Sequence, residues 1–285
     1  YYMINPFPGS DQTLFTVLFY DWIRPLAIDL TGNQDLGTLV AGTESAVSVR
    51  LVIGLLLGAL LLVYVFRSAE FRGSRDNILG GLVVGLAVLA AWYVTSSVMV
   101  DVDDEPTSLP SYVQNWEFVS DSEEGKPADS RPLNAQSFTF INPMAQAFGY
   151  TKEAFDSSYL TFGVVAFVGV ILGSLLWALI SGGFRIEWFA SGKDFLAHFI
   201  GAILMGIGGV LAMGCTIGQA ITGVSTLAIG SFIAFAGIVF GSALTMKIQY
   251  YKLVYEDEAN FVSALTASLA DMKLLPGSLR KLEKV

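Results

Sequence analysis

The side chains best suited to chemistry lie together in one glycine-rich stretch, residues 201–225. The chain's single cysteine, Cys215, follows Gly214, and further polar side chains come soon after it, namely Thr216, Gln219, Thr222 and Ser225. A thiol, hydroxyls and an amide can hydrogen-bond a polar solute or an anion. One cysteine and one histidine, His198, exclude a disulfide within the chain and any metal site built from several such residues. No nucleophile–base pair is visible, so we predict no enzyme activity and no cofactor.

This stretch lies deep within a long uncharged run. The chain carries no Lys, Arg, Asp or Glu from Phe195 to Met246, which is far more than the roughly 20 residues that one membrane crossing needs. Repeated glycines weaken a helix, and non-helical backbone at membrane depth is tolerated only where it is buried in protein or lines a cavity. We therefore predict a break near Cys215 and a short half-helix after it, whose N-terminus can face an anion. The alternative, a cysteine that packs as a small buried hydrophobic side chain, stays open.

Composition places the rest of the chain in a membrane. Of its 285 residues, 53% are hydrophobic and 14% are charged, whereas a soluble domain carries about 25% charged residues. The net charge of −9 comes largely from acidic residues between Asp101 and Asp129, a pattern typical of a solvated face. Nothing resembles a basic nucleic-acid footprint. We predict an all-α polytopic membrane protein with about five spanning helices plus discontinuous or re-entrant half-helices.

The apolar runs give the positions of these helices. We predict spans over 46–66, 78–100 and 159–180, and two crossings within 195–246 that the break separates. The first span includes its early residues only if Arg50 snorkels toward the headgroups. Its connector to the second span holds arginines that the positive-inside rule places in the cytoplasm, namely Arg67, Arg72 and Arg75.

The pattern divides the chain into five regions: 1–45, an interfacial or loop segment; 46–100, two spanning helices; 101–157, an acidic periplasmic loop; 158–247, the remaining spans; and 248–285, a cytoplasmic amphipathic tail. Within the acidic loop the apolar part 138–148 is predicted to dip back toward the membrane as a re-entrant half-helix. The tail is predicted to be helical until Pro276.

Glycines four residues apart recur in the apolar runs, as Gly54/Gly58, Gly81/Gly85, Gly169/Gly173 and Gly237/Gly241. Small residues at this spacing let helices approach closely in lipid, so we predict packing there rather than a pore-lining role. His198 begins the last apolar run. We predict an interfacial histidine bonded to a neighbouring carbonyl, with a gate or proton relay as the alternative.

The glycine–cysteine stretch also resembles the signature of the YeeE/YedE family, which carries a sulphur transport domain. The resemblance rests on Leu204 to Ser225, with Gly214-Cys215-Thr216-Ile217-Gly218-Gln219 at its centre. Supporting similarity covers 162–246, and weaker similarity reaches back to 76–81 and 92–95. The resemblance implies a pore for thiosulfate or related sulphur anions, built from two inverted halves that each supply a cysteine.

The resemblance also implies roles for single residues. The neutral thiol of Cys215 would donate a weak hydrogen bond to the terminal sulphur of thiosulfate, and Thr216 and Gln219 would donate to its sulphonate oxygens. Gly214, Gly218 and Thr222 complete the predicted substrate-binding set. Weak contacts suit conduction, because a site that binds too tightly does not release.

The chain departs from the family in one respect, since residues 1–45 contain no cysteine. We therefore expect half of an inverted-repeat transporter, in which 1–45 is the remnant of an N-terminal half that is absent or supplied by a partner chain. The resemblance further implies a bacterial inner-membrane location and a cytoplasmic sulphur-carrier protein as a partner. The alternative function is a non-transporting membrane subunit that scaffolds a larger complex.

Overall fold

The computed structural model describes residues 1–28, 33–102, 105–114, 134–255, 259–280 and 282. The principal helices are α1 (Leu36–Arg67), α2 (Ala69–Gly73), α3 (Arg75–Ser96), α4 (Leu109–Gln114), α5 (Ile141–Lys152), α6 (Phe162–Ile180), α7 (Gly192–Leu211), α8 (Ile229–Tyr255) and α9 (Phe261–Asp271). An antiparallel hairpin of β1 (Met99–Val102) and β2 (Glu105–Ser108) precedes α4. Short helical turns occur at Thr16–Tyr20, Asp21–Ile23, Arg24–Leu26, Ser157–Tyr159, Ile217–Gly223 and Gly277–Leu279.

Within the described residues, five helices are long and apolar enough to cross a membrane: α1, α3, α6, α7 and α8. Their large aliphatic side chains are mostly exposed, as lipid-facing surfaces require. A helix satisfies its backbone polar groups internally, which the hydrocarbon core of a bilayer demands. The prediction of an all-α polytopic membrane protein with about five spanning helices is confirmed, and the short hairpin is a small addition to it.

A short helical segment that the sequence pattern does not indicate precedes the first span. The carboxylate of Asp35 accepts the backbone N–H of Thr38 at 3.0 Å and so caps α1 at Leu36. Gly42 interrupts the helix with a φ of 69°, a left-handed conformation that glycine adopts without strain. Residues 36–41 therefore form a short helical segment before the break at Gly42, whereas the sequence favours a loop or interfacial segment there.

The second span ends earlier than predicted. The backbone N–H of Ser97 donates to the carbonyls of Tyr93 and Val94 at 3.1 and 3.3 Å, and the chain then turns into β1. Residues 97–100 are apolar enough to extend the predicted span. However, hydropathy alone does not separate a short strand from the end of a helix.

Residues 134–140 run without regular structure into α5, which is only 12 residues long. A Cβ on Gly163 of α6 would lie 2.5 Å from the Pro143 ring, and one on Gly209 of α7 would collide with Ile141. α5 therefore packs closely on both helices. A helix of this length is too short to span a bilayer, and its re-entrant placement stays a prediction.

Residues 229–285 form a compact unit of their own, and residues 1–228 form the other. In the smaller unit α9 packs on α8 through Ala264 and Ala267, which are fully buried around Tyr251. A helix is thus present in the predicted tail, although it ends at Asp271 rather than at Pro276.

The carboxylate of Asp271 fastens this tail. It accepts hydrogen bonds from the Tyr251 hydroxyl at 2.8 Å and Lys247 Nζ at 3.3 Å, and it also pairs with Arg280. Burial opposes ionisation of Asp271. The hydrogen bonds and the two cations outweigh that cost and hold the pKa of the carboxyl below its ordinary value.

Candidate functional site

The predicted break in the last apolar run is confirmed. α7 ends at Leu211, and the N–H groups of Met213 and Gly214 donate back to Val210 and Gly209, each at 2.9 Å. This pattern is a Schellman motif, whose left-handed position is usually glycine. Here Met213 occupies that position with a φ of 54°. Such strain costs roughly 1–3 kcal/mol and collects at functional sites.

A short helix, which we call the site helix, follows Cys215 and is π-helical over Ile217–Gly223. Single π-helical turns are frequent at functional sites. Leu227 ends the segment in a second left-handed conformation, with a φ of 59°. Two non-glycine residues with positive φ, Met213 and Leu227, therefore bracket the site helix.

Cys215 caps the site helix. Its carbonyl accepts the N–H of Gln219 at 2.8 Å, and its sulphur accepts the N–H of Gly218 at 3.4 Å. The thiol is half-buried. Because the sulphur acts as the acceptor here, the S–H hydrogen remains able to donate elsewhere. Thr216 beside it is exposed, and within the described part of the chain its hydroxyl makes no hydrogen bond.

Gln219 ties the site helix to the end of α7. Its side chain is 8% exposed, and Nε2 donates to the Ala212 carbonyl at 2.6 Å. The amide lies against buried Gly214, where an added Cβ would come within 3.1 Å of Nε2. The Ala212 carbonyl is one of the groups that the end of a helix leaves without a partner, and Gln219 satisfies it.

Thr222 and Gly218 hold the site helix against the extended segment 134–140. The Thr222 hydroxyl donates to the Phe138 carbonyl at 2.6 Å. A Cβ on Gly218 would lie 2.6 Å from Oγ1 of Thr139 and 3.1 Å from its Cβ. Gly218 therefore permits a close approach that no larger residue allows without movement.

The extended segment is fastened in turn to α3. The Thr95 hydroxyl accepts the N–H of Gln136 at 2.9 Å, and the buried Ser137 hydroxyl donates to the Val88 carbonyl at 3.3 Å. Trp92 Nε1 donates to the Ser225 hydroxyl at 3.2 Å. Side chains thus form hydrogen bonds with the non-helical backbone next to the site, as backbone polar groups at membrane depth require. Sequence reasoning placed 138–148 in a re-entrant half-helix and so missed the extended backbone over 134–140.

The six predicted site residues lie within the site helix or directly before it, at Gly214 and Cys215. Cys215 and Thr216 present groups that can still donate. By contrast, Gly214, Gly218, Gln219 and Thr222 are engaged with neighbouring backbone or side chains. Their direct contact with an anion stays a prediction.

The N-terminal region contains a second helix of the same design. Thr13 Oγ1 accepts the N–H of Thr16 at 3.1 Å, as the Cys215 sulphur accepts that of Gly218, and a π-helical turn follows at Thr16–Tyr20. Asp35, just before α1, pairs antiparallel with Ala228, just before α8. Sequence reasoning missed this similarity, because the two capped helices share no motif.

Two other expectations have structural outcomes. His198 Nδ1 lies 2.8 Å from the Asp194 carbonyl oxygen, the kind of partner that the sequence predicts, and 3.1 Å from Oδ1 of the same residue. Within the described residues, the paired glycines of the apolar runs do not make the close helix contacts predicted for them. An added Cβ on any of them would meet nothing within 4 Å, as at Gly54, Gly85, Gly173 and Gly241.

Comparison with known proteins identifies the family. The sulphur transport family model matches residues 14–244. The thiosulfate transporter TsuA of Spirochaeta thermophila is 40% identical over 75 residues, which are 26% of this chain and 23% of that protein. The chain thus matches about a quarter of that relative's length, and no solved structure matches the chain. Because the family model covers most of the sequence, including the capped break at Cys215, the chain belongs to the sulphur transport family.

Proposed function

We propose that this protein carries thiosulfate or a related sulphur-containing anion across the bacterial cytoplasmic membrane, along a path that passes Cys215. Membership of the sulphur transport family supports transport. The printed name of the bacterial relative, which matches a quarter of this chain, supports thiosulfate and a bacterial setting. Five helices able to span a membrane supply a multi-pass framework.

The observation that carries the proposal is the arrangement of Cys215 and Thr216 at the break. The thiol is half-buried, its sulphur is held by the Gly218 N–H, and the exposed hydroxyl of Thr216 lies one residue away. In this mechanism the S–H donates weakly to the terminal sulphur of thiosulfate, and the Thr216 hydroxyl donates to a sulphonate oxygen. No covalent bond forms. A neutral thiol avoids repelling a dianion, and weak contacts permit release.

The other predicted site residues act by positioning these two groups. Gln219 and Gly214 join the site helix to the end of α7, and Gly218 and Thr222 set its distance from the extended segment 134–140. Polarizable sulphur and a hydroxyl are presented together only while this short helix keeps its place.

Further protein is proposed to complete the pathway. Small residues allow close helix approach in lipid. A Cβ added to any of the paired glycines of the spanning helices would meet no described atom within 4 Å. This supports an additional half or partner chain that packs on them. A cytoplasmic sulphur-carrier protein remains a proposed acceptor of the transported sulphur, on the family resemblance alone.

The experiment is uptake of labelled thiosulfate by cells that lack other sulphur permeases. Cells expressing the protein are expected to accumulate label and to grow on thiosulfate as their sulphur source. Unlabelled thiosulfate should compete. A scaffold subunit would be present in the membrane yet leave uptake at the level of the empty vector, and that result would refute the proposal.

A further inference from the structure

Arg50 lies within an apolar helix but is held by a carboxylate rather than by the membrane surface. Its Nε and Nη2 donate to the two oxygens of Asp35 at 2.6 and 2.7 Å. Gly37 allows this approach, because an added Cβ there would collide with the Arg50 side chain and lie 2.7 Å from the Ala46 carbonyl. The start of α1 therefore folds back on the helix, and the ion pair closes the bend.

A cavity of about 730 Å³ lies between this bend and the segment that follows the site helix. The Leu36 N–H donates to the Leu227 carbonyl at 3.0 Å, so the bend and that segment are directly bonded. The cavity lining includes Arg50, Asp35, Ser48, Ser225, Thr226 and Leu51. It thus borders the last turn of the site helix, whereas Cys215 caps the first.

The two carboxylate oxygens of Asp35 have all the hydrogen-bond donors they need, whereas the guanidinium of Arg50 has donors left over. Oδ1 of Asp35 also accepts the Thr38 N–H at 3.0 Å, and Oδ2 accepts the Thr38 hydroxyl at 2.7 Å, so each carboxylate oxygen has two donors. The second Nη2 hydrogen of Arg50 reaches the Thr38 hydroxyl at 3.0 Å. In the part of the chain that the structure describes, Nη1 of Arg50 makes no hydrogen bond, and the side chain is 35% exposed.

Two hydroxyls of the cavity are engaged, because Ser225 and Thr226 donate to the Thr222 and Gly223 carbonyls at 2.6 and 2.7 Å. The lining also includes Asn33, Gln34 and Ser48, whose side chains carry donors but no charge. Among the described lining residues, the Nη1 group of Arg50 is therefore the charged donor that an anion would meet. A guanidinium donates favourably to oxyanions. The neighbouring carboxylate of Asp35 weakens the attraction, which suits a solute in transit.

We propose that the cavity beside Arg50 is a second anion-binding subsite, which takes a sulphur oxyanion at the opposite end of the site helix from Cys215. This inference rests on the proposed function. The two subsites would be separated by the site helix, whose seven residues Ile217–Gly223 span roughly 10 Å at a rise of about 1.5 Å per residue. An anion would then move between a guanidinium and a thiol along one short helix.

The test is equilibrium binding of labelled thiosulfate to the full chain in lipid nanodiscs, measured in a Cys215→Ala background that removes the thiol. Adding Arg50→Gln is expected to weaken the remaining binding about tenfold or more, because charge-assisted hydrogen bonds are lost. Adding Asp35→Asn is expected to strengthen it severalfold, because a competing negative charge is removed. Arg185→Gln is the matched control, since Arg185 is 80% exposed and lies 3.8 Å from Glu187.

An anion subsite predicts that Arg50→Gln weakens thiosulfate binding and that Asp35→Asn strengthens it. A purely structural ion pair predicts no such opposite changes. Equal weakening by Asp35→Asn and Arg50→Gln, or unchanged binding in Arg50→Gln, would overturn the subsite. The Asp35→Asn measurement stands by itself if Arg50→Gln does not fold. Thiosulfate uptake by the wild type is measured in parallel. If the wild type takes up thiosulfate but binding does not depend on Arg50, only the subsite is refuted. If the wild type takes up no thiosulfate, the proposed function is refuted.

Discussion

The backbone N–H of Gly218 donates a hydrogen bond to the sulphur of Cys215, 3.4 Å away. Cys215 therefore stands where serine, threonine, aspartate or asparagine usually caps a helix. The cap fixes the sulphur at the break and leaves its S–H hydrogen available. Serine at this position would keep the capping hydrogen bond but lack the sulphur, which makes the role of the thiol testable.

Replacement of Gln219 should loosen the break. Gln219→Leu leaves the Ala212 carbonyl without its donor, 2.6 Å away in the wild type, and an unsatisfied buried acceptor costs about 1–3 kcal/mol. We expect a lower thermal unfolding midpoint in detergent and reduced thiosulfate uptake. Gln136→Leu is the control, because the Gln136 side chain is exposed. Equal midpoints for the two variants would show that the Gln219 amide does not hold the break.

A methyl group at Gly218 should push the site helix away from the extended segment. Gly218→Ala places a Cβ 2.6 Å from Thr139 Oγ1, and such overpacking costs about 1–3 kcal/mol. Thr139→Gly should restore much of the loss in the double variant. Gly192→Ala, at an exposed glycine with open space around it, should be neutral or slightly stabilising. A double variant no better than Gly218→Ala would contradict the proposed contact, as read from unfolding midpoints and uptake.

The stability of the tail should depend on pH through Asp271. Its folded-state pKa lies below the ordinary value of 3.8, so the ionised carboxylate stabilises the packing of α9 above that pH. This contribution is lost as pH falls below about 3.8 toward the lower folded value. Asp271→Asn should expose α9 to proteolysis and hydrogen exchange already at neutral pH. Glu187→Gln, at an exposed residue, serves as control. Equal protection of α9 in both variants would refute this role.

The arginine-rich connector should face the cytoplasm and the acidic loop the periplasm. In a Cys215→Ala background, a membrane-impermeant thiol reagent should label Ser111→Cys in intact spheroplasts. Glu70→Cys in α2 should require permeabilisation. Both positions are exposed, so access to the reagent depends on the side of the membrane. Labelling in the reverse order would overturn the orientation.

The sequence predicts the spans and the break for clear physical reasons. Uncharged runs of sufficient length must be helical in lipid, and glycines beside polar residues mark where such a helix ends. The same reasoning places Cys215 and Thr216 correctly at the start of a short helix. Sequence reasoning cannot distinguish side chains that contact an anion from side chains that bond to the protein's own backbone. Gln219 and Thr222 bond to carbonyls that are distant in sequence or belong to the end of the neighbouring helix.

Long-range pairings explain the remaining differences. The sequence predicts that Arg50 snorkels, but Asp35 and Thr38 accept hydrogen bonds from its Nε and Nη2 within the bend of α1. The extended segment 134–140 depends on Thr95, Ser137 and Thr222, whose partners are far away in sequence. Hydropathy reports local composition, so it contains no information about such partners.

The most direct test of the transport path is thiosulfate uptake by Cys215→Ser, normalised to the amount of protein in the membrane. Serine accepts the Gly218 N–H as well as cysteine does, so abundance and unfolding midpoint should match the wild type. Loss of the polarizable sulphur should still reduce uptake about tenfold or more, equivalent to ~1.4 kcal/mol. Cys215→Ala, which also loses the cap, should be at least as damaging. Wild-type uptake by Cys215→Ser would contradict a path in which the anion contacts this sulphur.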